Sequence, residues 1–262
     1  MKNYILLILL FSLGINATEL KLSTFNTGLA YGFVAHAKER LPQIIKALQQ
    51  SDSDLLCLQE VWKKRDRKKI ARALKSIYPF SFDQKGDQLR AAKAPVCKIK
   101  ELFGEGKFLS CMLKNCMDGD SDQQTVCSRT TCGVALENLK QSNRECAGVL
   151  MAQVGKSTLV SMYTLFEPFA RPGMFAYKGE NGVLLLSKYP LKNRQVIDWK
   201  KSSTLNHRVA LTAMVEKDGK QVKVACMHLT ANLDRLIPYT GIFQDWEEEN
   251  SHQVEELLNS YG

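Results

Sequence analysis

Three polar residues stand where apolar, strand-like runs end, and their types suit work on a phosphate. Asn26 closes the alternating run Leu20 to Phe25. Glu60 ends the run Asp54 to Val61, within Leu58-Gln59-Glu60-Val61-Trp62. His228 follows Met227 and precedes Leu229. A carboxylate at the end of a buried strand needs a partner, because an unpaired buried charge is costly. Glu60 is therefore a candidate ligand for a hard divalent cation, Mg2+ (or Mn2+), which takes one or two carboxylates and keeps several waters. Asn26 can share that metal, or orient a metal-bound water or a phosphate oxygen. His228 can donate a hydrogen bond to the phosphate. Each residue has a plainer alternative: a Lys or Arg pairing with Glu60, a turn or cap at Asn26, a satisfied core histidine at 228.

These residues need elements to hold them. His36 to Gln50 carries Leu41, Ile44, Ile45 and Leu48 at helical spacing, with Pro42 expected in the first turn. Asp66 to Tyr78 reads as a second helix stopped by Pro79. Gly148 to Val154 and Thr158 to Tyr163 read as paired strands around Gly155-Lys156, and Gly182 to Ser187 as an apolar strand. Arg208 to Glu216 and Gln221 to His228 form a hairpin about Asp218-Gly219, and Trp246 to Tyr261 is a last helix. Helices and strands alternate first and hairpins follow, which implies a mixed-sheet α/β or α+β layered fold. The basic run Lys63, Lys64, Arg65, Arg67, Lys68, Lys69, Arg72 follows Glu60 and is either a phosphate-steering patch or a solvated helix face. Phe166, Phe169, Phe175 and Tyr177 sit in a proline-bearing stretch that reads as a packed loop, with contact to a membrane or a base as the rival.

Six of the eight cysteines lie between Cys97 and Cys146, with successive separations of 14, 5, 11, 5 and 14. That palindrome suits a hairpin bridged at three levels: Cys97–Cys146, Cys111–Cys132 and Cys116–Cys127. Zinc held by Cys111, Cys116, Cys127 and Cys132 is the rival, and an oxidising compartment favours disulfides. Cys57 and Cys226 fall at strand-core positions, either as free thiols acting as small hydrophobes or bonded to each other.

The chain has 262 residues, 45% apolar and 24% charged, with a formal net charge of +9. This composition excludes disordered and collagen-like chains. No repeat marks a solenoid or propeller. The basic balance suits phosphate-rich partners, nucleic acid or an anionic membrane. Lys2, the apolar run Tyr4 to Ile15 and Asn16-Ala17 read as a signal peptide over residues 1–17, so residues 18–262 are expected in a secreted or periplasmic domain. An uncleaved N-terminal anchor is the alternative.

Ser23-Thr24-Phe25-Asn26-Thr27-Gly28-Leu29, Asp54 to Trp62, Asn181 to Leu191 and Val224 to Leu233 resemble, in order and spacing, the endonuclease/exonuclease/phosphatase superfamily. That group includes pancreatic-type deoxyribonucleases, abasic-site endonucleases, bacterial sphingomyelinases and inositol-phosphate phosphatases. The resemblance covers Leu20 to Tyr78 and Gly148 to Tyr261, interrupted by the Cys-rich insert 97–146. It implies a four-layer αββα sandwich and metal-dependent phosphoester hydrolysis. In it, Asn26 matches the first-strand Asn, Glu60 the metal-binding Glu, His228 the phosphate-contacting His, and Asn232 a looser catalytic match.

The superfamily's later Asp-x-Asn and Asp-His motifs do not occur in this sequence. The resemblance therefore implies a C-terminally incomplete sandwich with a disulfide-rich helical or hairpin insert. For a sequence complete as given, it also implies little or no turnover, since losing a general base costs powers of ten in rate. The expected partner is a phosphodiester substrate, nucleic acid or a phospholipid head group, with peripheral membrane contact for the lipid case; no protein partner is implied. The alternative of a different class is a non-catalytic secreted binding protein that uses the Cys-rich insert.

Overall fold

The computed structural model describes residues 19–261 apart from 33, 119, 120, 154, 155, 157, 235 and 236. The signal peptide expected over 1–17 lies outside the described residues. Two sheets form the centre. The first has the order β1-β2-β4-β3, from Leu22–Asn26, Leu55–Gln59, Leu184–Ser187 and Phe80–Phe82. Strands β1 and β2 run parallel, and β4 is antiparallel to β2 and β3. The second sheet is antiparallel, β5-β6-β7, from Lys192–Asp198, Val209–Lys217 and Lys220–Met227.

Strand β2 is buried on both faces, which is why it reads as a continuous apolar run. Leu55 and Cys57 face the second sheet, among Val209, Leu211, Ala213, Val224 and Cys226. Leu56 and Leu58 face α1 (Ala37–Gln49) and α2 (Lys64–Ala73), where Leu41, Ile44, Leu48 and Ile70 close the core. Asp218 and Gly219 both take positive φ, 51° and 74°, as the two-residue β6–β7 turn requires. A last helix, α9 (Trp246–Asn259), is fastened to the second sheet: Lys223 Nζ of β7 donates to the Ser260 carbonyl at 2.6 Å. Its Asn250 and Gln253 bond Thr230, three residues beyond β7. The two-sheet α+β class expected from the sequence is the one observed.

Between β3 and β4 the described residues form six short α-helices: α3 Ile99–Leu102, α4 Phe108–Asn115, α5 Ser121–Thr130, α6 Gly133–Ser142, α7 Arg144–Met151 and α8 Thr158–Phe166. They share a core of their own around Leu102, Phe108, Leu136, Leu139, Val149 and Leu165. The three nested disulfides form as the palindrome suggests, and Cys57–Cys226 makes a fourth between the sheets. No cysteine among the described residues is left for zinc.

Three local expectations fail. The expected strands from Gly148 and from Thr158 are parts of helices α7 and α8; Val154 and Gly155 lie outside the described residues. Local β-branched residues favoured strands, but tertiary packing decides. Asn143 caps α7 by accepting the Cys146 amide at 3.0 Å, and Cys146, Ala147 and Val149 enter the helical core. Pro42 stands in the second turn of α1, not the first. It faces solvent, where water can serve the carbonyl that lacks its amide partner. Helix α2 ends at Ala73, well before Tyr78, whose hydroxyl instead bonds the Ser53 carbonyl at 3.0 Å.

Candidate phosphate site between the sheets

The parallel pair β1–β2 delivers the first two residues. Thr27 N bonds the Gln59 carbonyl at 3.0 Å and Leu29 N the Glu60 carbonyl at 3.1 Å, so the two chains stay joined past the strand ends. Glu60 leaves the strand at φ 58°, a left-handed value that costs a non-glycine residue about 1 kcal/mol or more. Asn26 Nδ2 donates to Glu60 Oε1 at 2.8 Å. The other end of that amide accepts the Gly28 amide at 3.0 Å, which fixes its orientation. Gly28 has φ 56°, and a Cβ there would come within 3.0 Å of Arg40.

Strand β7 brings His228 from the second sheet, with Nε2 4.0 Å from Glu60 Oε1. The structure thus gathers Asn26, Glu60 and His228. Asn232 stays outside this group: it is exposed, and its Oδ1 accepts the Asp234 amide at 3.0 Å.

Glu60 and His228 open on a cavity of about 180 Å3, which Trp62, Tyr177, Asn206 and Arg208 also line. Arg208 precedes β6 and is only 4% exposed, yet among the described residues its Nε and Nη1 have no hydrogen-bond partner. Burial lowers its pKa to about 10, against the opposing pull of Glu249 and Glu60, so it is a full cation at neutral pH. Burial, then the charge of Arg208, pushes His228 down to about 3, so its ring is neutral. Burial, then the charge of Glu60, raises the Tyr177 hydroxyl well above its usual range. Nine buried side-chain atoms lack a hydrogen-bond partner among the described residues, and five of them belong to residues that line this cavity: Trp62 Nε1, Asn206 Oδ1, His228 Nδ1 and the two of Arg208. Buried polar groups are normally satisfied, so this concentration marks a place for a polar ligand.

The walls are firmly held. Trp62 and Tyr177 stack with centroids 4.8 Å apart and planes 15° from parallel. Gly182 lets Trp62 sit close, since a Cβ there would meet the indole at 3.0 Å. Tyr177, Lys178 and Gly179 form a left-handed turn at φ 51°, 59° and 74°. Buried His207 secures it, with Nδ1 2.9 Å from the Gly179 carbonyl and Nε2 2.7 Å from Asp198. Arg67, expected in the phosphate-steering or solvated face of the basic run, turns inward instead and is 1% exposed. It bonds the Val61 and Trp62 carbonyls and pairs with Asp83 and Glu180, so it braces the chain after Glu60.

The donor set fits a hard divalent cation modestly. Glu60 is one carboxylate with an amide beside it, and Mg2+ can be held by one carboxylate with water completing its shell. Among the described residues no group of three or more His, Cys, Asp or Glu forms a fuller cage.

Arg208, Asn206, Trp62 and Tyr177 were not singled out as site residues from the sequence. The usable signal was Asn206-His207-Arg208, three polar residues placed directly before the apolar start of β6. Tyr177 belongs to the expected packed loop, and that loop divides. Phe175 stacks on His207, Phe166 lies near Phe103, and Phe169 stands in solvent.

No protein-family model matches the chain, and no curated protein matches it. Several solved structures are similar in shape. Sphingomyelinase C from Streptomyces griseocarneus shares 14% identity over 94% of this chain and 60% of its own, with a TM-score of 0.46. A Staphylococcus aureus beta toxin mutant with bound magnesium ions shares 14% over 94% of this chain and 60% of its own, at 0.45. An endonuclease/exonuclease/phosphatase family protein from Leptotrichia buccalis shares 9% over 91% of this chain and 61% of its own, at 0.35. The chain spans about 60% of the length of these structures. Likenesses this distant lend nothing to the chemistry, which rests on the cavity's own geometry.

Proposed function

We propose that the cavity binds a phosphate ester and that the protein is an exported, divalent-cation-dependent phosphoester hydrolase of the phosphodiesterase type. The observation that carries this reading is Arg208, which lines a cavity beside Glu60 and whose buried guanidinium has two nitrogens without a hydrogen-bond partner among the described residues. A buried cation is stable when an anion meets it, and a guanidinium fork matches phosphate oxygens. In this reading Arg208 takes one phosphoryl oxygen, and the neutral His228 ring donates to another. Asn26 holds the Glu60 carboxylate in place, and Glu60, with Asn26 beside it, would hold Mg2+ or Mn2+. Such a cation, when bound, supplies charge stabilisation at the phosphoryl and leaving oxygens. The Trp62–Tyr177 stack offers a flat wall to the ester group, from a nucleic acid or a phospholipid head group. Four disulfides support export to an oxidising compartment.

The test is hydrolysis of bis-p-nitrophenyl phosphate with Mg2+ and with chelator, paired with calorimetry of inorganic phosphate. Arg208→Gln should weaken phosphate binding at least about tenfold, the usual scale for a charged hydrogen bond. Mg2+-dependent turnover that survives Glu60→Ala would refute the assignment.

A further inference from the structure

A second surface begins where the left-handed turn ends. Tyr177 lines the cavity, while Lys178 lines a separate groove of about 380 Å3 with Arg90, Lys156, Tyr163, Glu167 and Arg171. None of these four cations is ion-paired among the described residues. The one acid, Glu167, is engaged by the Tyr163 hydroxyl and by the Phe169 amide at 2.9 Å.

Large apolar side chains stand beside the cations. Helix α8 buries Leu165 in the helical core but turns Leu159 and Tyr163 outward, 84% and 70% exposed. These two are four residues apart and share a helix face. Phe169, in the loop that follows, is 94% exposed, and the Glu167 bond to its amide pins that loop. Protruding apolar residues flanked by unpaired cations match the chemistry of an anionic bilayer, whose phosphates lie just above its acyl boundary.

We infer that this surface seats the protein on an anionic lipid membrane, with Leu159, Tyr163 and Phe169 at the acyl boundary and Arg90, Lys156, Arg171 and Lys178 against lipid phosphates. Charge complementarity favours a membrane over an ordinary protein partner. The aliphatic Leu159 favours it over a nucleic-acid strand, which would need stacking faces. The contact is peripheral, since no helix among the described residues is long and apolar enough to cross a membrane. It stands apart from the reading of the Glu60 cavity, because it predicts binding without turnover.

Co-sedimentation with vesicles of mixed phosphatidylglycerol and phosphatidylcholine tests it, with pure phosphatidylcholine vesicles as the reference. Binding should be at least about tenfold stronger to the anionic vesicles and should weaken with salt, as each cation near the surface contributes roughly fivefold. Arg171→Glu and Phe169→Ser should each lower partition about tenfold or more with the thermal midpoint unchanged, since both side chains are exposed. Equal partition of parent and variants would overturn the inference. So would a dimer abolished by Phe169→Ser, or tighter binding to a single-stranded oligonucleotide lost in Arg171→Glu.

Discussion

The sheets and the six-helix region between β3 and β4 hold themselves together by different means. In the sheets, β2 is covered on both faces and every strand lies in a hydrogen-bonded ladder. Their single disulfide joins two elements already packed face to face. The helices run from four to ten residues, below the length at which a helix is stable by itself. They lean on three nested disulfides, and Val134, Ile99, Leu113 and Val126 remain exposed on them. Short helices that cannot stand alone are held in place by covalent staples, whereas the sheets are held by their ladders and the packing of one sheet on the other.

That contrast can be broken or sharpened by substitution. The largest effect belongs to the sheets: Leu58→Ala should cost about 2–5 kcal/mol and lower the urea midpoint of the whole molecule, because Leu58 is fully buried under α1 and α2. Next, replacing Cys97 and Cys146 together with Ala should cost about 2–4 kcal/mol and act locally. Hydrogen exchange should quicken over α4 to α7 while β2 and β6 stay protected; equal loss in both would show one cooperative unit. A smaller effect concerns acid. Burial alone would raise the Asp54 carboxyl, but the Lys217 hydrogen bond, with the Lys21 amide and the Lys217 and Lys188 charges, holds it below its ordinary 3.8. A depressed carboxyl stabilises fully above that ordinary value, and the contribution fades as pH falls below it. Asp54→Asn should therefore flatten the acid limb of a pH–stability curve, measured by urea melts from pH 6 downward at roughly unit steps. Least of all, Val134→Ser should shift stability by no more than about 0.5 kcal/mol, since Val134 lies on the outside of α6.

How far the sequence reached depended on whether the signal was local. Glu60 and His228 could be located because each ends an apolar run, and a carboxylate or imidazole there is conspicuous. The cysteine palindrome carried its pairing in the spacing alone. Arg208 could not be weighed, since its burial and its lack of a partner arise only when β6 meets the Glu60 loop. Arg67 likewise looks like its exposed neighbours until Asp83 and Glu180 close around it. The helices α7 and α8 escape a local reading for the same reason: their β-branched residues speak for strand, while the shared core, with the Cys97–Cys146 disulfide in α7, decides for helix.

The Trp62–Tyr177 stack has an optical consequence. The chain holds three tryptophans, and Trp199 and Trp246 are buried outside the cavity lining. Trp62 stacks on the Tyr177 ring at 4.8 Å with the Arg208 guanidinium 5.9 Å from its centroid, while Trp246 meets Tyr239 edge-on at 5.0 Å. An anion arriving at Arg208 alters the field across the Trp62 indole, the one that lines the cavity. The cavity therefore carries its own chromophore, and filling it should register as a change in near-ultraviolet circular dichroism and in the shortfall of emission lost on Trp62→Phe.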